Sequence, residues 1–321
     1  MQLSTIYTPV QEDLVKVEKE LELVSKVDFS WLAELLSHSL SNGGKGIRPA
    51  LTLLSGKFYH YNLNTLLPMA TAVEVLHIAT LVHDDAIDKS AVRRGKPTVY
   101  KVWGEDKAVL LGDYLFAKAG ELTATTQNLR AVKLFAQTLR TISTGELAQS
   151  FSAFTLEQTY EQYIQRNSYK TAALFTLATE SGSVLSEAPE ASIKILNEYG
   201  YNLGIAFQIV DDILDFVGTE EELGKPTGSD LVQGTLTLPA MLLLECFPED
   251  NPVKKIFQNE DKEKNVRRAI EMVRNSPIVE ECYRIASDYC TKACCNLNLL
   301  PDNTSRQAMI ELANYVVRRK R

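Results

Sequence analysis

The sequence predicts an all-α fold, on three observations. Glycine is sparse, at 16 of 321 residues, so few positions interrupt a helix. Long Ala- and Leu-rich stretches recur between those breakers. Within them, apolar residues return every three or four positions, which is the period of one helical face. At the N-terminus, Thr8 and Pro9 read as a helix start, a cap oxygen followed by a residue with no N–H to satisfy. Val10, Leu14, Val17, Leu21 and Val24 then keep one face. The same period predicts helices over 30–40, 49–59, 65–89, 107–124, 129–152 and 158–186. Others follow over 191–217, 236–247, 264–275, 278–296 and 302–319. Turn signals separate them, among them Asn42-Gly43-Gly44, Ser186-Glu187-Ala188-Pro189 and Pro248-Glu249-Asp250-Asn251-Pro252. Gly200 and Gly204 are expected to let helices approach closely. The stretch 248–263 is the most linker-like, but too little chain follows it for a separate domain. One domain over 1–321 is expected.

Hydrophobic residues make up 45% of the chain and charged residues 23%, a composition that excludes a disordered protein and allows a sizeable core. Thirty-four basic residues against 41 acidic ones give a net charge of -7, so no general attraction to nucleic acid or anionic lipid is expected. Any anionic substrate must be met by local cations. No run is read as reaching the ~18 to 20 apolar residues of a membrane span. The N-terminus has no basic region followed by an apolar stretch, so no secretory signal is expected and a cytoplasmic address follows. Five cysteines are read as free thiols, since the paired CxxC spacing of a zinc cluster is missing. Arg318-Arg319-Lys320-Arg321 place cations at a helix C-terminus, where they oppose its partial negative charge.

The strongest feature is a repeated pentad. Asp84-Asp85-Ala86-Ile87-Asp88 and Asp211-Asp212-Ile213-Leu214-Asp215 share the pattern Asp-Asp-x-x-Asp, each inside apolar, helix-periodic sequence. On a helix the first and third aspartates lie on one face, with the middle one about 100° round the axis. The first face extends back through Thr80 and His77, and the second through Gln208. Six carboxylates brought together would repel one another unless cations intervened. Magnesium suits them, because it prefers oxygen ligands and commonly combines one or two carboxylates with substrate phosphates. Neither pentad has the glycine and twelfth-position glutamate of a calcium-binding EF-hand loop.

Cations for an anionic ligand form a second group. Gly43-Gly44-Lys45-Gly46-Ile47-Arg48-Pro49 sets Lys45 and Arg48 in a glycine-rich turn just before a helix, where backbone N–H groups and side-chain charges converge on a phosphate. Arg93-Arg94-Gly95 follows the first pentad and supplies bidentate donors. Lys170-Thr171 and Gly224-Lys225-Pro226 are weaker candidates. The segment Gly218 to Lys225 is not a nucleotide P-loop: its spacing is one residue too long and Pro226 replaces the Ser/Thr.

Taken in order, these pieces resemble the trans-isoprenyl diphosphate synthases of the polyprenyl synthetase family. The matching strings are GGKGIRP at 43–49, HIATLVHDDAIDKSAVRRGKPT at 77–98, LLGDYLFAKA at 110–119, YKTA at 169–172, FQIVDDILDF at 207–216 and GKPTGSDLVQGTLTLP at 224–239. The resemblance implies an all-α isoprenoid synthase helical bundle around a central active-site cavity, usually a homodimer. It implies that Asp84, Asp85, Asp88, Asp211, Asp212 and Asp215 hold magnesium ions on an allylic prenyl diphosphate. Arg93, Lys170 and Lys225 match residues that contact that diphosphate, and Lys45, Arg48, His77 and Arg94 match the pocket for isopentenyl diphosphate. Thr171 and Gln208 match positions whose dipoles face the developing allylic cation. Two departures stand out: the first loop carries Lys45-Gly46 where Lys-Arg is usual, and Gly234-Thr235-Leu236-Thr237 carries threonine where many short-chain members have lysine.

In the family, aromatic side chains four and five positions before the first pentad stop the product early. Here those positions are Thr80 and Ala79, with Leu76 one helical turn before Thr80, so a medium or long product of the heptaprenyl, octaprenyl or solanesyl kind is expected. A geranylgeranyl diphosphate synthase is the alternative. So is the catalytic subunit of a heteromeric heptaprenyl synthase, working with a small regulatory subunit. His83-Asp84 suggests an HD phosphohydrolase, but no second suitable histidine doublet exists. A class I terpene cyclase would replace the second pentad.

Overall fold

The computed structural model describes residues 2–41, 44–219 and 227–319. Among the described residues the regular structure is helical apart from one two-stranded hairpin. In order, the first helices are α1 (Leu3–Ile6), α2 (Gln11–Val24), α3 (Ser30–Leu40), α4 (Ile47–Gly56) and α5 (Leu63–Ile87). The hairpin β1 (Val92–Arg93) and β2 (Lys96–Pro97) precedes α6 (Val99–Trp103), α7 (Glu105–Ala124), α8 (Leu129–Phe151), α9 (Tyr160–Asn167), α10 (Ala173–Leu185) and α11 (Glu190–Val217). Then come Ser229–Val232, Leu238–Cys246, Pro252–Phe257, Lys262–Arg274, Ile278–Cys294 and Thr304–Arg318.

Two details of the sequence reading change. A short separate helix, α1, precedes Thr8, whose hydroxyl donates to the carbonyl of Thr5 instead of capping; Pro9 sits in a 3-10 turn, Thr8–Val10, and the helix expected there begins at Gln11. The linker-like 248–263 contains a helix, Pro252–Phe257, capped by the Asn251 side chain accepting from the Val253 N–H.

The chain divides into two compact units, each assembled from separate stretches of sequence. The first unit comprises Met1–Leu139, Leu174–Gly200 and Ala293–Tyr315. Its central helix is α5, flanked by α2, α4 and α7. Leu66, Met69, Ala70, Val73, Leu76 and Ala79 are wholly buried along it, so α5 is apolar on all sides because neighbours surround it. For that reason α5, 25 residues long with an 18-residue window of mean hydropathy 1.6, is long and apolar enough by length and composition to cross a membrane. This corrects the reading that no stretch comes near that length. Close packing in this unit depends on glycine: a Cβ on Gly182 would lie 2.2 Å from the Thr52 carbonyl oxygen, and one on Gly200 would lie 2.3 Å from Thr179 Oγ1.

The second unit comprises Arg140–Ala173, Tyr201–Lys292 and Val316–Arg321. Its core gathers Tyr163 with Ile205, Ile209, Ile213 and Phe216 of α11, and with Leu243, Val253, Val266, Val273 and Ile278 of the following helices.

Candidate active site: two acidic clusters

In the first unit, Asp84 and Asp85 form the last turn of α5 and Asp88 is its C-cap. Their environments differ. Asp85 is 6% exposed, and the Arg93 Nε donates to its Oδ1 at 2.8 Å. Burial pushes the Asp85 carboxyl above the usual range, Arg93 pulls it back, and Asp84 and Asp88 add repulsion, leaving a net upward shift. Asp84 is half-buried and Asp88 exposed. The hairpin brings Arg93 to this place. Val92 pairs with Pro97 and Arg93 with Lys96, so Arg94 and Gly95 form a two-residue loop with φ of 51° and 75°. Positive φ at both loop positions is the type I′ turn, which matches the twist of antiparallel strands. The hairpin is not among the elements expected from the periodicity, although the Arg94-Gly95 loop carries the glycine such a turn prefers.

A cationic group adjoins this cluster. Gly46, with φ of 61°, is the N-cap of α4, and Arg48 lies in the first turn of the helix rather than in the glycine-rich loop. The Tyr7 hydroxyl donates to the Lys45 carbonyl at 3.0 Å, and the Arg48 guanidinium lies 4.9 Å from the Phe175 ring centroid. His77 is half-buried on α5; burial, then Arg48, Arg94 and Arg93, hold its imidazole well below the ordinary value, which favours the neutral form. Glu74, 7% exposed, stands among the same arginines, and burial raises its carboxyl against their pull. A Cβ on Gly44 would come 3.0 Å from Glu74 Oε1, so glycine permits this approach. Lys45, Glu74, His77, Asp85, Arg93 and Arg94 share one cavity of about 690 Å³ with apolar residues including Leu14, Val17, Ile78, Leu81 and Val82. Leu76 and Ala79 are fully buried and lie outside that lining. Thr80, half-buried and also outside it, donates its hydroxyl to the His77 carbonyl at 2.7 Å.

In the second unit, α11 carries Asp211, Asp212 and Asp215. Asp212 is 2% exposed: the Tyr163 hydroxyl donates to its Oδ2 at 2.6 Å and Gln208 Nε2 to its Oδ1 at 2.8 Å. Burial nevertheless lifts its carboxyl above the usual range. Asp215 is 1% exposed; Ser229 Oγ donates to Oδ1 at 2.8 Å and the Asp230 N–H to Oδ2 at 3.2 Å. Asp211 differs, with a side chain 43% exposed and Arg319 Nη2 at 2.6 Å from its Oδ1. The Thr171 hydroxyl donates to Gln208 Oε1, extending the chain of hydrogen bonds to Asp212. Lys170 Nζ lies 3.0 Å from Glu146 Oε1. Both Lys170 and Thr171 sit in a π-helical turn, Ser168–Ala172, between α9 and α10, a widened turn that recurs at functional sites. Lys225 lies outside the described residues.

Sequence reasoning missed Tyr7, Glu74, Tyr163 and Arg319. Glu74 left a signal, a lone charge inside the apolar stretch 65–82. The other three left none, because each acts across a long sequence separation. Among the described residues, no three His, Cys, Asp or Glu side chains converge into a ready-made metal cage.

The family profile described as polyprenyl synthetase matches residues 29–273. The chain is 36% identical over 320 residues to heptaprenyl diphosphate synthase component 2 of Bacillus subtilis, covering 100% of this chain and 92% of that one. It is 37% identical over 308 residues to geranylgeranyl diphosphate synthase of Saccharolobus solfataricus, covering 92% of each. The crystal structure of a Caulobacter crescentus polyprenyl synthase, complexed with calcium and isoprenyl diphosphate, superposes with a TM-score of 0.95 at 33% identity, covering 100% of this chain and 98% of that one. These likenesses confirm the all-α isoprenoid synthase fold and the resemblance read from the motifs. The chain belongs to the polyprenyl synthetase family and is a prenyltransferase.

Proposed function

We propose that the protein is a chain-elongating trans-polyprenyl diphosphate synthase, condensing farnesyl or geranylgeranyl diphosphate with successive isopentenyl diphosphates. The observation that supports this most is the arrangement on α5 and its neighbours in the first unit. Lys45, His77, Arg93 and Arg94 line a largely apolar cavity together with Asp85 of the first acidic cluster, and Arg48 stands close to His77. Such a group suits an amphiphile with a diphosphate head.

The donor chemistry fits magnesium, since both pentads present carboxylate oxygen alone and the accessible members leave positions for water and phosphate. In this reading Asp84 and Asp88 in the first unit, and Asp211 in the second, each hold cations directly. Asp85, Asp212 and Asp215, each buried and already hydrogen-bonded, brace them or join after rearrangement. The ion would offset the charge of the departing diphosphate. Lys45, Arg48 and Arg94 bind the isopentenyl diphosphate head, and His77, being neutral, donates a hydrogen bond without adding charge. Arg93, Lys170 and Lys225 hold the allylic diphosphate. Thr171 and Gln208 present oxygen dipoles to the positive charge that develops when the allylic C–O bond breaks. Apolar walls keep water from that cation while the double bond of isopentenyl diphosphate attacks; the released diphosphate then takes a proton from the condensed cation, which restores an allylic diphosphate one isoprene unit longer.

Small residues at Ala79 and Thr80 favour a medium or long product, and the Bacillus relative is named for a C35 one. The 37% identity to a geranylgeranyl synthase supports the shorter alternative. The name component 2 supports a second subunit, whereas Leu147 and Phe151, 63% and 89% exposed on α8, support a homodimer. One domain over 1–321 and a cytoplasmic site of action complete the proposal. The test is condensation of farnesyl and isopentenyl diphosphates by purified protein with magnesium. Turnover abolished by chelation and by Asp84→Asn, with the variant folded, supports the reading. No turnover with or without a partner subunit overturns it.

A further inference from the structure

An arginine of the second unit, Arg319, is engaged in a way that the condensation chemistry does not require. Arg319 follows the helix Thr304–Arg318, yet it is only 5% exposed. Its Nη2 donates to Asp211 Oδ1 at 2.6 Å and to the Phe207 carbonyl at 2.7 Å. The guanidinium carbon stands 3.7 Å from the centroid of the Phe207 ring, and Nε is buried with no acceptor. Asp211 is also the most exposed carboxylate of its pentad, since Asp212 and Asp215 are 2% and 1% exposed.

We propose that Arg319 is a built-in competitor for the cation at Asp211, holding that carboxylate until a divalent ion displaces it. A guanidinium and a divalent cation seek the same oxygen lone pairs, and in a half-buried place their mutual repulsion opposes simultaneous contact. The charge-assisted bond and the stacking on Phe207 favour the closed arrangement. The acceptor-less Nε weakens it, because a buried donor without a partner is unfavourable. The result is a latch that an incoming ion can open. It keeps the second cluster from loading metal tightly while no substrate is bound, which sets an order of arrival: diphosphate and ion together displace the arginine, whereas the ion alone competes against it.

The inference rests on the proposed assignment of Asp211 to cation binding, and the experiment separates the two. Manganese binding to the full-length protein without substrate is followed by electron paramagnetic resonance for wild type, Asp211→Asn, Arg319→Gln and Arg319→Met; methionine keeps apolar cover on Phe207. The latch predicts that both Arg319 variants bind manganese roughly tenfold more tightly, the effect of losing one charge-assisted bond, and that adding Asp211→Asn cancels the gain. In wild-type protein, amide exchange at residues 316–319 increases when manganese is added. Unchanged or weaker manganese binding in folded Arg319 variants, with unchanged wild-type exchange, overturns the latch. If Asp211→Asn binds manganese as wild type does, the assignment of Asp211 itself fails.

Discussion

The Tyr163 hydroxyl donates to Asp212 Oδ2 at 2.6 Å, and both residues are almost wholly buried. The bond joins α9 to α11, so the second acidic cluster is braced from a helix 49 residues away in sequence. Tyr163→Phe leaves a buried carboxylate oxygen short of a donor, and such a loss costs about 1–3 kcal/mol. Urea denaturation at neutral pH is expected to show a destabilisation of that size. A loss below about 0.5 kcal/mol would show that the bond does not brace the cluster.

Arg93 controls the ionisation of Asp85. Burial already raises that carboxyl and Arg93 opposes the rise; removing the cation lets it rise further. Arg93→Gln is therefore expected to move the acid limb of the pH–kcat/KM profile to higher pH, besides lowering activity at neutral pH. A lower plateau with an unmoved acid limb would limit Arg93 to substrate contact.

Asp13 couples stability to pH on the acid side. Burial works against its ionisation, but hydrogen bonds from Lys16 at 2.8 Å and Tyr61 at 2.6 Å, with Lys57 nearby, hold its carboxyl below the usual value. A folded pKa that is depressed gives stability above the unfolded value of about 3.9, and this is lost as pH falls through the folded value. Asp13→Asn is expected to cost about 1–2 kcal/mol at neutral pH and progressively less below about pH 4. An equal cost at both pH values would remove the carboxylate from the account.

Gly182 fits α10 against α4, and its added Cβ would meet the Thr52 carbonyl oxygen at 2.2 Å. Backbone cannot swing aside as a side-chain end can. Gly182→Ala is expected to lower stability by about 1–3 kcal/mol, read as a drop in melting temperature, although alanine is the better helix former.

The helices and both pentads were legible because periodicity and carboxylate spacing are local properties of sequence. The middle aspartates illustrate the limit. Spacing sets Asp85 and Asp212 on a second face of their helices, but only the fold reveals Arg93 and Tyr163 bound to them. Arg319 shows the same limit. Read as a cation opposing the partial negative charge of a helix C-terminus, it is buried against Phe207 and Asp211, 112 and 108 residues earlier. The π turn at Lys170 and Thr171 left no local signal, and the helical period ran across it unbroken. Conversely, the apolar length of α5 was underestimated because Glu74 and His77 interrupt the run, while the fold buries Glu74 and half-buries His77.

Product length with farnesyl diphosphate as primer, read by chromatography for wild type, Ala79→Phe and Thr80→Phe, tests the central claim most directly. Thr80 is half-buried and offers a variant less exposed to overpacking than the wholly buried Ala79. The account predicts that wild type elongates past geranylgeranyl diphosphate to a medium or long polyprenyl diphosphate, and that at least one folded, active phenylalanine variant stops earlier. A wild-type product that ends at geranylgeranyl diphosphate, or a chain length that neither substitution changes, would contradict it.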